Sequence, residues 1–117
     1  VDAGVDVFHA SNRRFWEPEF QGSNLNLAGW TKKITGLPTI TVGSVGLESD
    51  FIGFYQGEDE VKTAPIDDLI KRMDDKEFDM VAVGRALLSD PEWVNKVKDG
   101  RYDEVIPFSK KHAENYY

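Results

Sequence analysis

Along the chain, short apolar runs alternate with segments whose hydrophobic residues recur every three or four positions. Val5-Asp6-Val7-Phe8 follows Gly4 as a β-branched and aromatic run, which predicts a strand. Leu27, Trp30 and Ile34 then share one face at helical spacing, so residues 25–35 read as a helix, with Lys32-Lys33 in the last turn and Gly36 as the stop. Pro38-Thr39-Ile40-Thr41-Val42 predicts a second strand and runs straight into Gly43. Residues 66–75 form an amphipathic pattern with Ile66, Leu69, Ile70 and Met73 on one side. Phe78-Asp79-Met80-Val81-Ala82-Val83 reads as a third strand, apolar enough after Asp79 to be covered on both faces. Asp90 as cap and Pro91 at the first helical position open another helix, which Gly100 closes. Residues 101–117 are polar and aromatic and predict no particular element.

Strand and helix therefore alternate three times, with strands about 35–40 residues apart, a spacing that implies parallel pairing through right-handed crossovers. An eight-fold barrel needs roughly 250 residues, and this chain has 117. The expected fold is α/β: one domain over residues 1–117 that supplies the last three βα units, strands 6–8, of a TIM (β/α)8 barrel. Val1-Asp2-Ala3-Gly4 contains no Met and leads almost at once into a strand, so the chain reads as a C-terminal fragment.

Composition narrows the function classes. A net charge of −7 and a pI near 4.7 disfavour nucleic acid and anionic membrane as partners. A local nest of amides can still hold a small anion whatever the global charge. Without cysteine there are no disulfides, thiolate metal sites or thiol nucleophiles. No apolar run approaches the roughly 18 residues of a membrane helix, and the first residues do not form a signal peptide. A cytoplasmic location is expected.

The chemistry concentrates at two strand ends. Thr41-Val42-Gly43-Ser44-Val45-Gly46 and Val81-Ala82-Val83-Gly84-Arg85 each carry an apolar strand into glycine. Gly43 and Gly84 would let backbone approach a ligand with no Cβ between. In barrels, the loops after strands seven and eight often make a phosphate site with a short helix, and 85–88 is placed to be that helix. Arg85 adds a permanent cation with fork geometry for phosphate. One glycine alone would be an ordinary turn residue; the pair, one followed by arginine, favours a phosphate. A flavin, a sugar phosphate and a nucleotide all remain open on this pattern.

His9-Ala10-Ser11 with Arg13–Pro18, Leu25-Asn26-Leu27-Ala28-Gly29-Trp30, Ile40–Leu47, and above all Phe78–Trp93 with its Gly84-Arg85, Leu87-Leu88 and Asp90-Pro91, resemble the C-terminal portion of the Old Yellow Enzyme family. The resemblance implies an FMN-dependent NAD(P)H oxidoreductase of the ene-reductase type, in which NADH or NADPH reduces FMN and the flavin reduces an activated, enone-type alkene. It places the FMN phosphate on Gly43, Ser44, Gly84 and Arg85, with Val45 and Gly46 completing the first loop. The family's catalytic tyrosine and paired histidine or asparagine come from earlier strands, so no catalytic residue is assigned here, and the chain alone should be inactive. Homo-oligomerisation, or association with the rest of the barrel, is implied as well.

Other residues carry weaker signals. His9 ends the first strand, where it could face the flavin or substrate side but reads first as a hydrogen-bonded structural residue; His112, in the tail, reads as solvated or packed on a neighbour. Ser44 with a histidine lacks nucleophile-elbow spacing and an orienting acid. Asp67-Asp68, Asp74-Asp75 and Glu58-Asp59-Glu60 lack the alternation of a calcium loop and read as solvated faces, so no metal is expected. Arg13-Arg14 could clamp a substrate carboxylate or the NADPH phosphate but reads as a surface pair, with Phe15-Trp16 as packing or active-site wall. Trp30 and Trp93 are expected in the core, and Tyr102, Phe108, Tyr116 and Tyr117 at a subunit contact. Two other readings are a partial barrel that only binds phosphate or self-associates, and a barrel of the dihydroorotate-dehydrogenase type.

Overall fold

In a computed structural model that describes residues 1–48 and 60–114, three of the strand segments pair in parallel. The chain divides into two compact units, one made of Val1–Gly43 with Ile66–Ala82 and the other of Ser44–Pro65 with Val83–Tyr117.

The first unit holds β1 (Phe8–Ser11), α1 (Leu27–Thr35), β2 (Thr39–Val42), a helix at Asp67–Asp74 described below as α2, and a strand at Met80–Val81. The sheet order places β2 in the centre, with Phe8 opposite Thr39 and Ile40 opposite Met80. This is a small α/β arrangement in which each parallel step crosses over through a helix.

The first strand lies three residues later than its β-branched run suggested. Pairing begins at Phe8, whose amide donates to the Pro38 carbonyl at 3.0 Å. Val7 would face Pro38, which has no N–H to continue the ladder, and Val5 and Val7 are exposed.

Asn26 caps α1: its Oδ1 accepts from the Gly29 amide at 2.8 Å, while its Nδ2 donates to the Phe15 carbonyl at 2.8 Å and to Thr41 Oγ1 at 3.1 Å. One fully buried amide thus ties the loop after β1, the helix start and the central strand. Gly36 ends α1 in the left-handed region, as expected. The buried face is not the expected one. Ala28 and Gly29 face inward, small enough to let α1 lie close on β1 and β2, while Ile34 is 77% exposed and Trp30 only half-buried. Trp30 packs edge-on against Phe20 with Lys33 over its ring, so it is not a core residue.

Helix α2 buries Leu69, and Ile66 just before it, but leaves Ile70 and Met73 largely exposed. Arg72 links it to the loop after β1, donating to the Asn24 carbonyl and pairing with Asp68 and Glu77. The third expected strand shrinks to Met80–Val81 and is not covered on both faces, since Met80 is exposed. Its neighbour Asp79 accepts from Lys32 and from the Thr39 amide, which fixes it to α1 and β2. Helix-side positions Ala10, Thr39 and Thr41 are buried, whereas His9 and Met80, on the other face, are exposed.

With the first unit's Met80–Val81 strand numbered β4, the second unit contains β3 (Glu60–Val61), α3 (Arg85–Ser89), α4 (Trp93–Lys98), a 3₁₀-helix at Tyr102–Glu104, β5 (Phe108–Ser109) and α5 (Lys110–Glu114). β3 and β5 are antiparallel. Its buried apolar residues include Val45, Leu47, Ala86, Trp93 and Phe108, so Trp93 lies in the core as expected. Asp90 and Pro91 do precede a helix, though the regular turns start at Trp93, and Gly100 closes it with φ 72°.

Candidate functional site

Within the second unit, the chain brings Ser44 and Arg85 together. Ser44 opens a tight turn in which its carbonyl accepts from the Leu47 amide at 3.0 Å, and its own φ of 51° is unusual for a residue with a Cβ. Arg85 starts α3, and its Nη2 lies 3.5 Å from Ser44 Oγ, at the outer edge of hydrogen-bond range. The guanidinium stands 5.8 Å above the centre of the Phe108 ring. Phe108 is almost wholly buried and is therefore a rigid platform.

The tail carries that platform. Ser89 Oγ donates to the Ile106 carbonyl at 2.9 Å, and the Asp90 carboxylate accepts from the Ile106 amide at 3.1 Å, from the Glu92 amide at 3.0 Å and from Lys96 Nζ at 2.6 Å. Burial pushes the Asp90 carboxyl up, but the Lys96 ammonium and the two amides outweigh it and hold it below the usual carboxylate range. These bonds fix residues 106–109 against α3 and so set Phe108 beneath Arg85. Beyond Phe108, His112 stacks at a tilt of 35°, and its Nδ1 accepts from the Ser109 amide at 3.0 Å, in the manner of a capping box at the start of α5. His112 is packed rather than solvated. His9 stands exposed on β1 in the first unit.

The two glycines of the expected phosphate site differ. A Cβ on Gly84 would meet nothing within 4 Å, so the backbone beside Arg85 faces open space. A Cβ on Gly43, at φ 143°, would lie 2.5 Å from the Asn12 carbonyl oxygen. Gly43 also accepts from the Phe15 amide at 3.0 Å. Glycine is required at 43 by the close passage of the loop after β1, inside the first unit. Of the four expected residues, then, Ser44, Gly84 and Arg85 lie in the second unit, and Gly43 belongs to the first.

Chemically, Ser44 and Arg85 offer donors and a positive charge, a set suited to a phosphate. Among the described residues, no three potential metal ligands converge. Asp68 pairs with Arg72 and Asp75 with Lys71 along α2, while Glu58 and Asp59 lie outside the described residues. Arg14 pairs with Glu17 at 2.7 Å, and Phe15 is buried with Trp16 edge-on at 5.2 Å, so that pair is packing. Tyr116 and Tyr117 also lie outside the described residues. No helix among the described residues is long and apolar enough to cross a membrane.

Phe108 and the Asp90–Lys96 pair were not legible as site supports. The advance signals were Asp90 as a helix cap and Phe108 as one aromatic of a polar and aromatic tail.

No known family profile matches the chain. It is, however, similar to a protein named NADH oxidase from Thermoanaerobacter brockii, at 34% identity over 112 residues that cover 89% of this chain. The chain spans 14% of that protein's length. The two are distant relatives.

Proposed function

We propose that this chain is the phosphate-holding part of a flavin-dependent NADH oxidoreductase. The observation that carries the reading is the Arg85 guanidinium, held over buried Phe108, within 3.5 Å of the Ser44 hydroxyl and next to the open backbone of Gly84. The relative named NADH oxidase supports the redox class. The Old Yellow Enzyme resemblance extends it to FMN as cofactor, NADH or NADPH as reductant and an enone-type alkene as acceptor.

The residues fit the phosphate of FMN. Arg85 and Ser44 would hold it by charge and hydrogen bonding, and the open side of Gly84 leaves room beside them. Bound FMN would accept hydride and pass it on. The protein's share in this chain is to bind and orient: Phe108 restrains Arg85, and the Asp90 bonds restrain Phe108. No residue here is assigned to proton transfer, and the catalytic groups are proposed to come from other parts of a longer barrel. The sheet supports the barrel reading, because α1 packs on β1 and β2 from one face while His9 and Met80 on the other are exposed. That uncovered face also favours association, either with further barrel strands or with a second copy.

Calorimetric titration of the chain with FMN and with riboflavin tests the assignment. FMN should bind at least about tenfold more tightly, the equivalent of about 1.4 kcal/mol for phosphate recognition, and Arg85→Ala should abolish the difference. Equal affinities, or no binding of either, would overturn it.

A further inference from the structure

Tyr102 has no part in the site as described, yet it closes a second frame around the Ser44 turn. Its hydroxyl donates to the Ala64 carbonyl. The Ala64 amide in turn donates to the Gly46 carbonyl at 2.9 Å, and the Glu48 amide donates to Lys62 at 3.1 Å. A bridge between Leu47 and Thr63 completes a short antiparallel clamp on the turn. Gly46 sits at φ 72°, and a Cβ there would lie 3.1 Å from the Tyr102 hydroxyl and 3.3 Å from the Trp93 indole nitrogen. Trp93 and Tyr102 meet edge to face at 6.2 Å. The buried Trp93 N–H has no acceptor among the described residues, so Trp93 holds this corner by shape, beside the Tyr102 hydroxyl bond to Ala64.

We infer that Tyr102 is a positioning residue: through Ala64 and Gly46 it sets the turn that presents Ser44, and so governs how well the site selects a phosphorylated over an unphosphorylated flavin. The inference rests on the phosphate reading above. Tyr102 acts on the turn, and the side chain that would feel its loss is Ser44.

The 117-residue chain is titrated with FMN and riboflavin for the wild type, Tyr102→Phe and Gly46→Ala. Tyr102→Phe keeps the ring against Trp93 and removes only the hydroxyl. It should weaken FMN about fivefold to tenfold, the scale of one lost hydrogen bond, and leave riboflavin unchanged. Gly46→Ala presses on the same corner from the other side and should shift FMN in the same direction. In Tyr102→Phe the Leu47 amide should exchange hydrogen faster, while amides of the β1–β2 ladder keep their wild-type rates. A wild type that does not prefer FMN would overturn the phosphate reading itself. A wild type that prefers FMN, with Tyr102→Phe retaining the full preference, would overturn the role of Tyr102. Equal weakening of FMN and riboflavin would show a general structural role and overturn it as well.

Discussion

In the unit that carries the parallel sheet, the central polar pin is a neutral amide, Asn26, sealed among Phe15, Gly29 and Thr41. In the unit that carries Ser44 and Arg85 it is a charge, Asp90, met by Lys96 and two amides. The sheet unit has ladder hydrogen bonds and helix packing to define it, so one neutral pin suffices to register its loop. The other unit is assembled from short helices and two-residue strands, and its buried carboxylate joins the end of α3, helix α4 and the tail, which no long ladder could align. A charge in that role orders the tail strongly, but the unit then depends on keeping that charge.

The comparison is broken most severely at Asp90. Asp90→Ala leaves Lys96 and two amides without their acceptor and should cost about 3–5 kcal/mol of stability by chemical denaturation. It should also release Phe108 and lower FMN affinity. Asn26→Ala removes a cap and two buried bonds, for about 2–3 kcal/mol, with the loss of hydrogen-exchange protection centred on the start of α1. The glycines sharpen the contrast. Gly43→Ala drives a Cβ toward the Asn12 carbonyl in a positive-φ position and should cost about 1–3 kcal/mol. Gly84→Ala should change stability by less than about 1 kcal/mol, since its Cβ enters open space, yet weaken FMN because that space is where the phosphate is proposed to sit.

Acid gives the smallest and most selective effect. Asp90 is held below its ordinary value, so its contribution is complete above the unfolded carboxylate value near 4 and is lost as pH falls through the lowered folded value. In the sheet unit two shifts oppose each other. The Lys32 ammonium and the Thr39 amide lower Asp79, while burial raises Glu77 despite Arg72. A raised carboxyl contributes stability below its unfolded value and loses it as pH rises, which partly offsets Asp79. Hydrogen exchange from pH 6 to pH 3 should therefore show the Ile106 and Glu92 amides losing protection before that of Gly29. The reverse order would contradict the contrast.

Much of the sheet unit was legible in advance because its signals are local. Apolar spacing located α1 and α2, Gly36 marked a stop, and Thr39–Val42 read directly as a strand. What failed were faces and edges: Ile34 carries the right spacing but points outward, since Ala28 and Gly29 make the contact, and Pro38 moved the first strand by denying Val7 a partner. The Gly84-Arg85 end of the site was legible as strand, glycine and cation in sequence. Its support was not. Phe108 and Ser89 act through contacts with residues far along the chain, and no local period announces them.

The central claim is that a flavin phosphate is received by Ser44, Gly84 and Arg85 rather than by the exposed face of the sheet. Amide chemical-shift mapping during an FMN titration tests it most directly. The account predicts the largest changes at Ser44, Gly84 and Arg85, absent when riboflavin is used, with His9 and Met80 little affected. Changes confined to His9, Ile40 and Met80, or identical maps for the two flavins, would contradict it.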